Sequence, residues 1–309
     1  MQVAVIGAGV MGPGIAQVWM MGGHQAVLVD VDEGALKKGG EVIRESLSMM
    51  REMGIVAKEP DQYMTLYTGT TSLSQAVEGA SLVIEAVPEM PDIKQSIYRE
   101  LDRLCPEGTV IVSNTSSLPL PDMFPEFRPD RFFVCHFFNP PAVVPLVELV
   151  KTERTAPEAV EWLKDELARC GKKPIVVNGF VMGFLVNRLQ MAMMREALHL
   201  VQRGVVRPDD VDTAALAAIG FKTAWQGMFD TMDYIGLDTV AMAGSIIFPD
   251  LSNETKLPEI ITEKVRRGHL GVKSGRGFFN YADGRAAEVM QRRQTLLLEQ
   301  WKLFKKHMP

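Results

Sequence analysis

The sequence predicts an α/β domain built on a parallel sheet, followed by an all-helical domain. Three observations carry this. The chain opens on a β-branched run and a glycine-rich turn, "VAVIGAGVMGPGIAQV" (Val3 to Val18). Up to about Gly183, short apolar runs alternate with helical segments, as in a parallel sheet with right-handed crossovers. Beyond that point strand signals stop and helical periodicity continues to the end. The domains are therefore expected over 1–184 and 185–309.

Each element has its own signal. Val3 to Ile6 is a short apolar run, read as a buried strand, and a helix follows from about Gly12 to Met21. "HQAVLVD" (His24 to Asp30) is a second strand ending in an acid, and residues 32–60 are charged and helical in pattern. "SLVIEAVPE" (Ser81 to Glu89) is another buried strand; Asp92 then caps a helix to about Leu104. "GTVIVSNTSSL" (Gly108 to Leu118) repeats strand and polar turn. Arg131 to Val150 reads as two strands joined by a proline-rich bend. A helix (Pro157 to Cys170) and a strand (Lys173 to Val177) complete this half. Segments 187–203, 208–219, 230–248, 257–268 and 285–306 read as helices.

Composition excludes several function classes. The 309 residues carry 33 Lys and Arg against 38 Asp and Glu, so a broad basic face for nucleic acid is not expected. The apolar runs are short and broken, so no transmembrane helix is expected, and the N-terminus has strand-turn-helix grammar with no basic region before its apolar residues, so no signal peptide is expected. Cys105, Cys135 and Cys170 have neither metal-ligand nor disulfide spacing, which fits a cytoplasmic protein without a metal site.

Gly7, Gly9 and Gly12 fit G-x-G-x-x-G, with Val10 and Met11 on the same turn. The first glycine permits a tight turn, the second lets a pyrophosphate approach the backbone, and the third lets helix pack on strand. Amides at the helix N-terminus meet the phosphate charge. The motif is weak in isolation. Here it follows a strand, opens a helix, and precedes a strand ending at Asp30, ~20 residues on, as a dinucleotide site requires. An acid there bonds the ribose hydroxyls and repels a 2′-phosphate, so NAD is expected rather than NADP. The fold class is then an α/β Rossmann-type NAD-binding domain followed by an all-α C-terminal domain. Asp32 lies past the strand end. Gly14 sits inside the helix, where it costs up to about 1 kcal/mol against alanine, which suggests close packing on the sheet or the cofactor.

His136 and Glu148 flank the "NPP" bend, and adjacent strands would put them side by side. An imidazole held by a carboxylate is a general base: the acid fixes the tautomer and raises the basicity. The alternative is a satisfied core histidine and a surface glutamate. "SNTSS" (Ser113 to Ser117) follows a parallel strand, where ligands bind in open α/β sheets, and Ser116 could donate to a substrate oxygen or serve in a turn. Asn187 by itself reads as a helix N-cap.

These pieces together resemble the L-3-hydroxyacyl-CoA dehydrogenase family. The landmarks are "IGAGVMGPGIAQ", "VIEAVPE" with Lys94 after it, "SNTSSL", "HFFNP", "LVELV", "GFLVNR", "IGLDT" and "GVKSGRGFFNY", which span nearly the whole chain in order. The resemblance implies that His136 is the catalytic base and Glu148 its partner acid. Ser116 and Asn187 match the residues that hold the substrate's 3-oxygen, and Ser116 also lines the cofactor. Asp30 matches the adenosine-ribose acid; Glu89, Lys94, Asn139 and Lys273 match further cofactor-lining positions. It also implies a homodimer joined through the helical domain, and a small-molecule substrate.

The chain departs from acyl-CoA members at Pro145, where a lysine is usual, at Met182, where a proline is usual, and at "GMFD" (Gly227 to Asp230). "NPP…PLVELV" and "NRLQ…EA" look like the L-gulonate dehydrogenase and λ-crystallin branch, and carnitine dehydrogenases share some of these traits. The function expected is NAD-dependent oxidation of the 3-hydroxyl of an L-3-hydroxyacyl-CoA, such as 3-hydroxybutyryl-CoA. The alternatives are a non-CoA 3-hydroxy acid as substrate, or a catalytically silent NAD-binding structural protein. A CoA substrate calls for a cationic rim, with Arg44, Arg51 and Lys58 as candidates.

Overall fold

The computed structural model describes residues 1–116, 118 and 128–307; Ser117 lies outside the described residues. The chain forms two compact units, Met1–Val186 and Asn187–Pro309.

The first unit is built on one eight-stranded sheet in the order β3-β2-β1-β4-β5-β6-β7-β8. The strands are β1 Gln2–Ile6, β2 Gln25–Val29, β3 Tyr67–Thr70, β4 Ala80–Glu85, β5 Val110–Ser113, β6 Phe132–Phe137, β7 Leu146–Lys151 and β8 Lys173–Asn178. β3 to β6 run parallel, β7 is antiparallel to β6, and β8 is parallel to β7. Ile6, Val83, Leu101, Ile111 and Phe132 belong to one buried cluster, which explains the near-continuous apolar runs of the central strands.

Four sequence expectations change here. β3 and the helix Leu73–Val77 were not expected, because "YTGT" is a half-exposed edge strand without an apolar run. The strand expected over Ser81 to Glu89 ends at Glu85. The helix after it is Pro91–Leu104; Met90 is its N-cap, so Asp92 lies in the first turn instead, where an acid complements the helix dipole. Residues 32–60 do not form one helix: Glu33–Glu52 stops short of Gly54, whose φ of +68° is left-handed, and Pro60 opens a short second helix. Asp32 caps the first of these, accepting from the Gly34 amide at 2.7 Å.

Gly14 has a steric reason within the protein, and it is a bend rather than a strand of the sheet. A Cβ there would sit 2.8 Å from Cδ of Pro141, so the helix Gly12–Met21 packs directly on the proline-rich bend between β6 and β7. Lys172, itself buried, holds that bend by donating to the carbonyls of Pro141 and Val144.

The second unit is helical. Its α-helices are Val186–Gln202 (which begins on the last residue of the first unit), Pro208–Ala214, the short Phe221–Thr223, Met228–Ile235, Leu237–Ile247, Glu259–Arg266 and Arg285–His307. Pro208–Ala214 continues through a π-helical stretch, Ala215–Gly220. Gly236, at φ +101°, divides the helix expected over 230–248 into two. Among the described residues of this unit only Ser252 and Leu298 are buried, and Phe221, Phe229, Tyr234 and Phe248 are largely exposed. No described helix is long and apolar enough to cross a membrane.

Candidate active site

The order of the strands decides where the site forms. β1 lies between β2 and β4, so the chain direction across the sheet reverses there, and ligands bind outside the carboxyl ends of strands at such a switch point. The glycine turn leaves the end of β1, Asp30 follows β2, "AVPE" follows β4, "NTS" follows β5, and His136 stands near the end of β6.

The glycine turn is built as the motif requires. Gly7 has φ +107°, and a Cβ on it would meet the Ala86 carbonyl oxygen at 2.6 Å. A Cβ on Gly12 would lie 1.8 Å from the Gly7 carbonyl oxygen. A Cβ on Gly9 would meet nothing within 4 Å. Gly7 and Gly12 are thus demanded by the protein, and Gly9 faces open space where a ligand can approach the backbone. Asp30 locks the turn, accepting from the Ala8 amide at 2.7 Å and from the Asp32 amide at 3.1 Å. Its two oxygens retain lone pairs for further donors. Val10 and Val31, 81% and 96% exposed, add apolar surface on the turn and next to the acid. Open space at Gly9, an acid at the strand end and exposed apolar side chains fit an NAD dinucleotide.

His136 and Glu148 are brought together. In the antiparallel register of β6 and β7 they stand directly opposite one another, and His136 Nδ1 lies 2.8 Å from Glu148 Oε2. Glu148 is fully buried, so the surface-glutamate alternative does not hold. The Leu185 and Val186 amides donate to its other oxygen, Oε1, at 3.1 and 2.9 Å. Burial pushes the carboxyl up. The His136 hydrogen bond, the Val186 amide, the imidazole charge and the Leu185 amide outweigh that and hold it below the ordinary carboxylate value. The rings of Phe138 and Phe184 flank the imidazole at 4.5 and 5.5 Å between centroids. Phe184 has φ +51°, a left-handed conformation that costs a non-glycine residue about 1–2 kcal/mol, and its fully buried ring holds it there.

The turn after β5 is tied to both neighbours. Asn114 Oδ1 accepts from the Phe137 amide at 2.9 Å, next to His136. The Ser116 amide donates to Glu89 Oε1 at 3.0 Å, and the Thr115 hydroxyl donates to the same oxygen. Burial raises the Glu89 carboxyl, but Thr115, the Lys94 charge and the Ser116 amide together hold it low. Glu89 and Lys94 therefore have a structural part besides any cofactor contact: Lys94, fully buried, bridges Glu85 at 2.6 Å and Glu89 at 3.2 Å. Asn139 lies in the bend after β6. Asn187 and Lys273 belong to the second unit. Asn187 is the second residue of its helix rather than the cap, and Lys273 sits in a short 3₁₀ turn, Val272–Ser274.

Sequence reading missed the hub beneath this edge. Glu85, at the end of β4, is fully buried and accepts from Lys94 and from the Tyr98 and Ser113 hydroxyls at 2.6 Å each, and from the Val87 amide at 2.8 Å. A signal was present: an acid closes an apolar strand, and Lys94 and Tyr98 stand four residues apart on one helix face.

Comparison with known proteins gives the family. Residues 2–180 match the profile of the 3-hydroxyacyl-CoA dehydrogenase NAD-binding domain, and residues 183–281 match that of the family's C-terminal domain. The chain belongs to the 3-hydroxyacyl-CoA dehydrogenase family. It is an NAD-dependent oxidoreductase of the type that acts on CH–OH groups. The mitochondrial hydroxyacyl-coenzyme A dehydrogenase of Homo sapiens is 37% identical over 288 residues, 90% of each chain. The structure of a 5-formyl-3-hydroxy-2-methylpyridine 4-carboxylic acid 5-dehydrogenase, described as an NAD+-dependent dismutase, superimposes with a TM-score of 0.91 at 33% identity, covering 98% of each chain. That of (S)-3-hydroxybutyryl-CoA dehydrogenase from Ralstonia eutropha gives 0.73 at 30% identity, over 91% of this chain and 99% of that one.

The Glu85 hub generates a prediction. Glu85→Gln leaves the buried Lys94 ammonium without its nearest anion, so stability should fall by about 3 kcal/mol. Urea unfolding followed by circular dichroism measures this; an unchanged midpoint would show that the pair is not needed.

Proposed function

We propose that this dehydrogenase oxidises the 3-hydroxyl of an L-3-hydroxyacyl-CoA, with His136 as the general base. One observation carries the reading: a buried imidazole bonded through Nδ1 to a buried carboxylate, on the same strand edge as the glycine turn. Because Glu148 accepts at Nδ1, the substrate proton is taken at Nε2. Hydride acceptance from C3 is the chemistry that bound NAD would supply. Glu148 offsets the charge of the imidazolium as it forms, and Ser116 and Asn187 hold the oxygen as it becomes a carbonyl. In the reverse direction protonated His136 supplies the proton. On the cofactor side, Gly7, Gly9, Val10, Met11 and Gly12 cradle the pyrophosphate. Asp30 takes the ribose hydroxyls, and Glu89, Lys94, Ser116, Asn139 and Lys273 line the rest.

A second reading has its own support, a non-CoA hydroxy acid as substrate. The cations expected to form a CoA rim have partners within the first unit: Arg44 pairs with Asp61, Arg51 with Glu59 at 3.0 Å, and Lys58 lies over the Tyr63 ring at 5.7 Å. The high TM-score to an enzyme named for a pyridine carboxylate points the same way. For the assembly we propose a homodimer through the helical unit. Exposed Phe221, Phe229, Tyr234 and Phe248 are the support, since apolar surface of this kind marks an interface.

His136→Ala should lower kcat for NAD reduction by 10²-fold or more, the order expected for a lost general base, while NAD titration of the variant gives the wild-type Kd. Near-normal kcat would remove His136 from the reaction. Steady-state NAD reduction should favour 3-hydroxybutyryl-CoA over free 3-hydroxybutyrate in kcat/KM. Equal rates, or faster turnover of free L-gulonate or L-carnitine, would select the second reading. Light scattering on a sizing column should give twice the chain mass; a monomer at micromolar concentration would refute the dimer.

A further inference from the structure

We propose that the backbone amides of Leu185 and Val186 are part of the proton-transfer machinery, keeping Glu148 ionised so that the dyad stands ready to accept a proton at neutral pH. This rests on the reading of His136 as the base. A buried carboxylate beside an imidazole has two ways to fail. It can itself become protonated because burial disfavours its charge. It can also stabilise the imidazolium so strongly that the base is already spent before substrate arrives. A second set of donors on the carboxylate opposes both, because it favours the unprotonated pair over the pair that carries an extra proton.

The geometry supplies such donors and divides the work between the two oxygens. Oε2 faces His136 at 2.8 Å; Oε1 receives the Val186 amide at 2.9 Å and the Leu185 amide at 3.1 Å. Val186 is the first residue of its helix and Leu185 is the cap position before it, so both amides stand among the initial N–H groups that have no carbonyl partner within the helix. They reach Glu148 because Gly183 and Phe184 are both left-handed, at φ +77° and +51°. Glycine adopts that conformation freely, but Phe184 does so against its preference, with its ring buried against His136 and Phe180. A strained turn is thus retained where it aims two amides at one carboxylate oxygen.

Charges on the surrounding elements are few. β5 contributes no charged side chain, and β6 carries the buried Cys135 thiol as its other titratable group. β7 carries Lys151 at its far end, and β8 carries Lys173 at its start, while Glu148 itself stands opposite Ile175. The Gly179–Val186 turn has no charged residue, and Arg188 follows in the helix.

The test replaces one amide. Val186 is the first helical residue, the position at which proline is best tolerated, so Val186→Pro deletes an N–H with little cost to the helix. The acid limb of the kcat/KM profile for NAD reduction should move up by about one pH unit, whereas Val186→Ala, which keeps the amide, should leave the limb at its wild-type pH. A folded Val186→Pro enzyme with an unmoved acid limb overturns the proposal. A second measurement needs no variant to fold: in selectively ¹⁵N-labelled wild-type protein, the Leu185 and Val186 amide resonances should titrate with the midpoint of that acid limb. Resonances that stay fixed through the limb overturn the proposal as well. Full turnover by His136→Ala would instead overturn the base assignment, and the amide titration would still report on Glu148.

Discussion

A carboxylate with no access to water has to be compensated on every side, and Glu148 sets that demand at the centre of this protein. Its charge is matched by an imidazole from the neighbouring strand and by two amides from the turn that ends the first unit. The match needs an antiparallel partner for β6. Had the sheet stayed parallel, the next strand would have returned by a crossover, and no residue shortly after His136 could have faced it in register. The Asn139–Pro145 bend, held by Lys172 and packed on Gly14, makes that reversal.

Glu85 answers the same demand differently. It too is fully buried at a strand end, but it meets an ammonium, two hydroxyls and an amide rather than a titrating ring. One arrangement holds an imidazole and the other holds an ammonium. Lys94 passes the second arrangement on to Glu89, and Glu89 ties down Thr115 and Ser116. The strand edge that carries the candidate site thus rests on buried charge pairs more than on its surface loops. Removing one partner of such a pair is costly, because the other is left buried and unpaired.

Most of the candidate site was legible because its chemistry is local in sequence. The glycine turn, Asp30 and the polar turn after β5 each sit beside a strand whose apolar run marks it. His136 and Glu148 were legible as a pair only on the assumption of adjacent strands, and the register then put them face to face. Glu85 escaped notice because its partners come from a helix and a neighbouring strand, and the Leu185 and Val186 amides escaped because a backbone donor leaves no mark in a sequence. Edge strand β3 was invisible for a plainer reason: with one side open to water, it carries no apolar run.

By itself, then, the sequence determined the class of fold, the dinucleotide turn with its acid, and the residue types able to move a proton. These depend on period, on glycine's conformational freedom and on side-chain chemistry, all of which are written residue by residue. Tertiary structure decided which carboxylate is buried, which partner each one meets, and why Gly14 has no side chain. Those follow from which distant segments are packed together, and a buried charge or a steric gap exists only once they are.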